Sequence, residues 1–134
     1  WDHDADQQAF TTFTRALLQL RADTPQLRPD TWRPSTDVAW FADDGQPADA
    51  AYLDAPDKHA LAVQLGDLFI AYNGWRDPVT FQLPPTPSGG PWHLVADTAP
   101  WLEPDGNWLS PATPLPDATY GVDGRALVIL HDGP

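Results

Sequence analysis

Cysteine is absent from this 134-residue chain, which excludes disulfide staples and thiolate metal sites. Methionine is absent too, the first position included, so we expect a C-terminal piece of a longer polypeptide. Glu103 and Lys58 are the only glutamate and lysine, leaving aspartate and arginine to supply the rest of the 19 acidic and 7 basic residues. The net charge of −12 at pH 7 repels phosphate backbones and anionic lipid surfaces, and neither nucleic acid nor membrane is expected as a partner. No apolar run approaches membrane-spanning length, and the stretch Trp1-Asp-His-Asp-Ala-Asp6 has neither the basic start nor the apolar core of a secretory signal.

What the chain does have is a core. With 42% hydrophobic and 11% aromatic residues it can fold as one domain. The apolar runs Ala60 to Leu65 and Leu68 to Asn73 are separated by Gly66-Asp67, the pair of a type II′ hairpin, and predict two antiparallel strands. Val79, Phe81 and Leu83 alternate with Thr80 and Gln82, as in a half-buried strand. Further strands are expected at Asp37 to Phe41, with a turn at Asp43-Asp-Gly-Gln46, and at Trp92 to Thr98. Tyr120 to Val122 and Arg125 to Leu130 read as a last hairpin through Asp123-Gly124, the unbroken run Ala126 to Leu130 being a central strand. Pro47 to Asp57 reads as a loop that packs by Tyr52 and Leu53. Ala99 to Thr119 reads as a long loop, because its prolines exclude a central strand.

Ahead of the strands, Phe10, Phe13, Leu17 and Leu20 recur at helical spacing, which predicts an amphipathic helix from about Asp6 to Ala22. Asp4 or Asp6 can cap it, and Pro25 stops it. Its apolar stripe must cover the strands, or another chain. The expected architecture is therefore all-β, an antiparallel β-sandwich preceded by one amphipathic α-helix.

Several of these segments resemble a known family in order. Phe13-Thr-Arg-Ala-Leu-Leu-Gln-Leu-Arg-Ala-Asp-Thr-Pro-Gln-Leu-Arg28 resembles the last barrel helix of the isoamylase-type glycogen and starch debranching enzymes of the α-amylase superfamily (glycoside hydrolase family 13), with Thr24 in place of their histidine. Phe69-Ile-Ala-Tyr-Asn73, Pro78 to Pro84, the Trp-x4-Asp-Thr pattern from Trp92 to Thr98, and Arg125 to Leu130 resemble successive strands of the same enzymes, with Ala126 in place of a serine. The resemblance implies that residues 1–28 are the last helix of a catalytic barrel and its exit, and 29–134 a C-terminal β-sandwich that supports the barrel. The parent would hydrolyse α-1,6 linkages with retention, through carboxylates that all lie on the barrel. No catalytic residue is then carried by this chain, which alone should be inactive. No cofactor is implied, the expected partner is the barrel of the same polypeptide, and the expected location is the cytoplasm.

The residues themselves offer little independent chemistry. Glycoside hydrolysis by the usual route needs two carboxylates flanking the scissile bond. Asp43 and Asp44 are adjacent, but in a turn where acids cap amides and face solvent. His3, His59, His93 and His131 lack metal-ligand spacing, so no metal site is expected. Neither a nucleophile elbow, nor a phosphate loop, nor a dinucleotide fingerprint occurs. Seven tryptophans remain. Sugar rings stack their C–H faces on exposed aromatic planes, so Trp75, Trp101 and Trp108, expected in loops, are candidate α-glucan contacts. The competing assignment puts Trp32, Trp40 and Trp92 in the core and uses the loop tryptophans to pin loops or face the barrel.

Overall fold

The computed structural model describes residues 4–31, 38–99 and 106–133. The first element is helix α1 (Ala5–Asp23), and the Asp4 carboxylate caps it by accepting the Gln7 N–H at 2.9 Å. Asp6 lies inside the first turn, where the helix dipole favours an acid. The helix ends at Thr24, whose extended backbone (φ −104°, ψ 101°) is what a following proline imposes. A short 3₁₀ turn, Pro25–Leu27, follows, and the Arg28 guanidinium reaches back to the last-turn carbonyls of Arg21 and Ala22.

Among the described residues eight strands come next: β1 (Ala39–Phe41), β2 (Ala60–Leu65), β3 (Leu68–Asn73), β4 (Val79–Gln82), β5 (Trp92–Asp97), β6 (Trp108–Pro114), β7 (Thr119–Val122) and β8 (Ala126–Asp132), with a short helix α2 (Ala50–Asp54) between β1 and β2. Six form one sheet in the order β1-β2-β3-β8-β5-β6, and β4 pairs with β7 in a second. Every pairing is antiparallel. The β2–β3 hairpin closes through Leu65↔Leu68, with positive φ on Gly66 (63°) and not on Asp67, as a type II′ turn requires.

The strand period of two sorts residues onto two faces of the large sheet. Ala60, Ala62, Phe69, Ala71, Trp92, Leu94, Val128 and Leu130 point toward the small sheet and enclose Phe81 of β4 and Val122 of β7. Leu68, Val95, Ala96 and Ile129 point the other way and are covered by Phe13, Leu17, Leu20 and Leu27. Val95 and Ala96 both serve that second face because a bulge sets two β5 residues against Ile129 of β8. The result is a lopsided sandwich, two strands on one face and a helix on the other.

Several expectations are corrected. Pro47 to Asp57 is not all loop, since Asp49 caps α2 through the Tyr52 N–H at 2.8 Å. Tyr52 packs there by its hydroxyl, but Leu53 stays 54% exposed. Ala99 to Thr119 contains β6, which carries Pro111 and Pro114 without penalty because it is the sheet edge and pairs with β5 alone. Tyr120 to Val122 and β8 are not a hairpin: β7 crosses to β4, and β8 lies between β3 and β5. Trp92 is in the core, its indole N–H donating to the Pro84 carbonyl at 2.7 Å, whereas Trp40 is 46% exposed. Trp32 and Asp37 lie outside the described residues. Phe10, assigned to the covered stripe, is exposed.

Candidate saccharide cleft

Asn73, the last residue of β3, organises one end of the molecule. It is fully buried, and its amide nitrogen donates to the carbonyls of Asp77 (2.9 Å), Val122 (3.2 Å) and Asp123 (3.0 Å). Its amide oxygen accepts the Trp75 N–H at 2.9 Å. One side chain therefore fixes the loop after β3 against the exit of β7, where a strand would leave backbone groups unpaired. The Arg125 N–H adds a bond to the Trp75 carbonyl at 2.8 Å. Gly124 makes this approach possible, since a Cβ there would lie 2.1 Å from the Arg76 carbonyl oxygen. The positive φ of that turn falls instead on Arg125 (59°).

Trp75 is thereby held with its ring outward and 43% exposed. Its indole N–H donates to Asp77 Oδ2 at 3.1 Å, and His59 stacks on it with ring centroids 4.6 Å apart and planes 2° from parallel. Arg76 lies over the same ring at 5.9 Å. The adjoining Gly74 N–H donates to the His59 carbonyl at 2.7 Å. Beside this stack opens a cleft of about 400 Å³ lined by Tyr52, Leu53, Lys58, His59, Tyr72 and Gly74, among others. Tyr52 is anchored by its hydroxyl, which donates to the Ala60 carbonyl at 2.6 Å, and the Lys58 ammonium sits 5.5 Å above its ring. Burial, followed by the nearby Asp43 carboxylate, holds the Tyr52 hydroxyl pKa above its ordinary value.

Of the two tryptophans singled out in the sequence that are among the described residues, Trp75 stands next to this cleft, behind His59. Trp108 is not in a loop: it is in β6, half-buried, packed into the helix-side cluster. Trp101 lies outside the described residues. Tyr72, Lys58 and His59 were not singled out. Tyr72 could have been, because Phe69, Ala71 and Asn73 set the core phase of β3 and leave Tyr72 out of it.

Several of the aspartates hold the fold together. Asp44 accepts the Gln46 N–H within its turn, and Asp43 faces the Tyr52 hydroxyl at 3.3 Å. Asp97 is fully buried, accepting from the Tyr120 hydroxyl at 2.7 Å and the Ala99 N–H at 2.8 Å. It ties β5 to β7. No group of three or more His, Cys, Asp or Glu converges as for a metal among the described residues.

Residues 37–131 match the family model "Isoamylase, C-terminal". The isoamylase of Pseudomonas amyloderamosa is 34% identical, over 93% of this chain and 18% of that protein. The isoamylase of a Flavobacterium species is also 34% identical, over 97% of this chain and 19% of that protein. Among solved structures, a type I pullulanase from Bacillus subtilis complexed with maltose superposes with a TM-score of 0.59 at 20% identity, over 98% of this chain and 17% of that one, a likeness of fold. The chain thus spans less than a fifth of the curated relatives it matches.

Proposed function

Because this chain belongs to the isoamylase C-terminal family, we propose that it is the non-catalytic C-terminal domain of a debranching glycoside hydrolase and supports that enzyme's catalytic barrel. The parent would hydrolyse α-1,6-glucosidic branch linkages of glycogen or starch with carboxylates upstream of this chain. The observation that carries the reading is the two-sided apolar character of α1. Phe13, Leu17 and Leu20 face the sheet, while Phe10 and Leu18, eight residues apart with Thr14 between them, lie along a second face, Phe10 71% and Leu18 63% exposed. A helix apolar on adjoining faces belongs between two partners. Here the sheet is one, and we assign the barrel as the other, with residues 1–28 as its last helix and exit.

The test compares the full-length parent with its Phe10→Asp/Leu18→Asp variant. The expected result is branch hydrolysis of amylopectin by the parent, no hydrolysis by this chain alone, and a clear loss of the parent's thermal stability in the variant. An unchanged melting temperature would overturn the support role, and hydrolysis by this chain would overturn the non-catalytic one. No described helix is long and apolar enough to cross a membrane. We place the parent in the cytoplasm, with the stored glucan it would act on.

A further inference from the structure

We propose that the cleft between α2 and the end of β3 is a subsite for a neutral α-glucan chain, with Tyr72 and the His59 ring, which Trp75 backs, as its sugar-facing walls. The choice of α-glucan rests on the debranching reading above; the site itself rests on the geometry. Of the six exposed large hydrophobic residues among those described, Leu53 and Tyr72 line this one concavity, and Trp75 stacks on its His59. The other three, Phe10, Leu18 and Trp40, do not line it.

Three features select a saccharide. First, the walls are placed before any ligand arrives: the His59 ring lies on Trp75, which Asn73 and Asp77 hold, and the Tyr72 backbone is set in β3 opposite Leu61 and Leu127. A ring already stacked, as His59 is, loses little conformational freedom when a sugar packs on it. Second, the cleft's volume of about 400 Å³ is at the small-ligand end of the usual range for such sites, and aromatic walls with a few polar groups are their usual lining. Third, the polar groups at the rim suit hydroxyls. An apolar protein segment laid across Lys58 and His59 would strip their water without returning hydrogen bonds, whereas sugar hydroxyls return them. A net charge of −12 disfavours an anionic polymer, while a neutral glucan is indifferent to it.

The test titrates the 134-residue chain with maltoheptaose by calorimetry, with cellohexaose as a second arm. Tyr72→Ala is the principal variant, because Tyr72 is 51% exposed and its removal leaves the core intact. Trp75→Ala, which removes the backing of the His59 ring, is the second, with its melting curve confirming a folded chain, and Leu18→Asp, on α1 away from the cleft, is the control. Expected are weak saturable binding of maltoheptaose, a loss of about five-fold or more in each cleft variant, and no change in the control. Absence of saturable binding, or binding that Tyr72→Ala leaves unchanged, would overturn the site. Equal binding of cellohexaose would overturn its assignment to α-glucan. A parent that cleaves α-1,6 linkages while this chain binds no glucan would remove the cleft proposal and leave the debranching reading standing.

Discussion

Asn73 joins more of the structure than any catalytic-looking side chain does. A primary amide has two N–H groups, so the three carbonyls of Asp77, Val122 and Asp123 share them, while the Trp75 N–H takes the oxygen. Asn73→Ala should destabilise the chain by about 3 kcal/mol, since buried groups are left unpaired and each costs roughly 1–3 kcal/mol. N73D should be worse, because it sets a carboxylate oxygen against carbonyl oxygens; urea denaturation of both variants checks the order. Tyr120 carries a pH-dependent contribution. Burial, then its bond to the Asp97 carboxylate, raises its hydroxyl pKa above the ordinary value near 10. A raised acid favours the neutral form in the folded state, so this stabilisation is complete below the ordinary value and is lost as pH rises beyond it. Tyr52, also raised, adds the same sign. Y120F should cost about 1–3 kcal/mol at neutral pH through the orphaned Asp97 oxygen and should flatten the alkaline fall in stability. Thermal melts of both proteins at neutral and alkaline pH read this directly; parallel alkaline limbs would refute it.

Among the elements, those written in short-range chemistry were legible. The β2–β3 hairpin follows from Gly66 between two apolar runs, and the central place of β8 follows from a run with no polar alternation. The partner of β7 was not legible, because strand pairing is a long-range choice that turn residues only bias. Asp123-Gly124 reads as hairpin chemistry, yet Gly124 is required by backbone proximity to Arg76, and the chain there changes sheets. The prolines of β6 correctly exclude a central strand, but they leave an edge strand open. The cleft was legible only at its edges, in Trp75 behind it and in the outward phase of Tyr72 on β3; Lys58 and His59 meet Tyr72 through the β2–β3 pairing, and nothing local marks those two. Helix α1 can be dissected face by face. Leu17, half-buried in the helix-side cluster, should cost about 1–2 kcal/mol when cut to Ala, below the figure for a fully buried leucine, while Leu18→Ala should stay within about 0.5 kcal/mol. Chemical denaturation of the two variants decides it; equal effects would mean that α1 does not dock by the face seen here.

At the scale of the whole molecule, two opposed forces decide how this chain behaves alone. Phe10 and Leu18 on α1, with Trp40 on β1, leave apolar side chains in water. Exposed apolar patches favour association, and a helix with an uncovered apolar line can pair with a second copy of itself. Against this stands a net charge of −12, which repels like copies and is screened by salt, with a Debye length of about 10 Å at 0.1 M and about 3 Å at 1 M. The isolated chain should therefore be largely monomeric at low ionic strength and associate as salt is raised, the reverse of an assembly held by ion pairs. Sedimentation equilibrium across a salt series measures it. Phe10→Asp with Leu18→Asp should keep the chain monomeric throughout, because the substitutions remove apolar area and add charge at the same place. A wild-type chain that stays monomeric at high salt over a wide concentration range would show that the second face of α1 is too small or too polar to hold a partner, and would weaken the case that a barrel covers it.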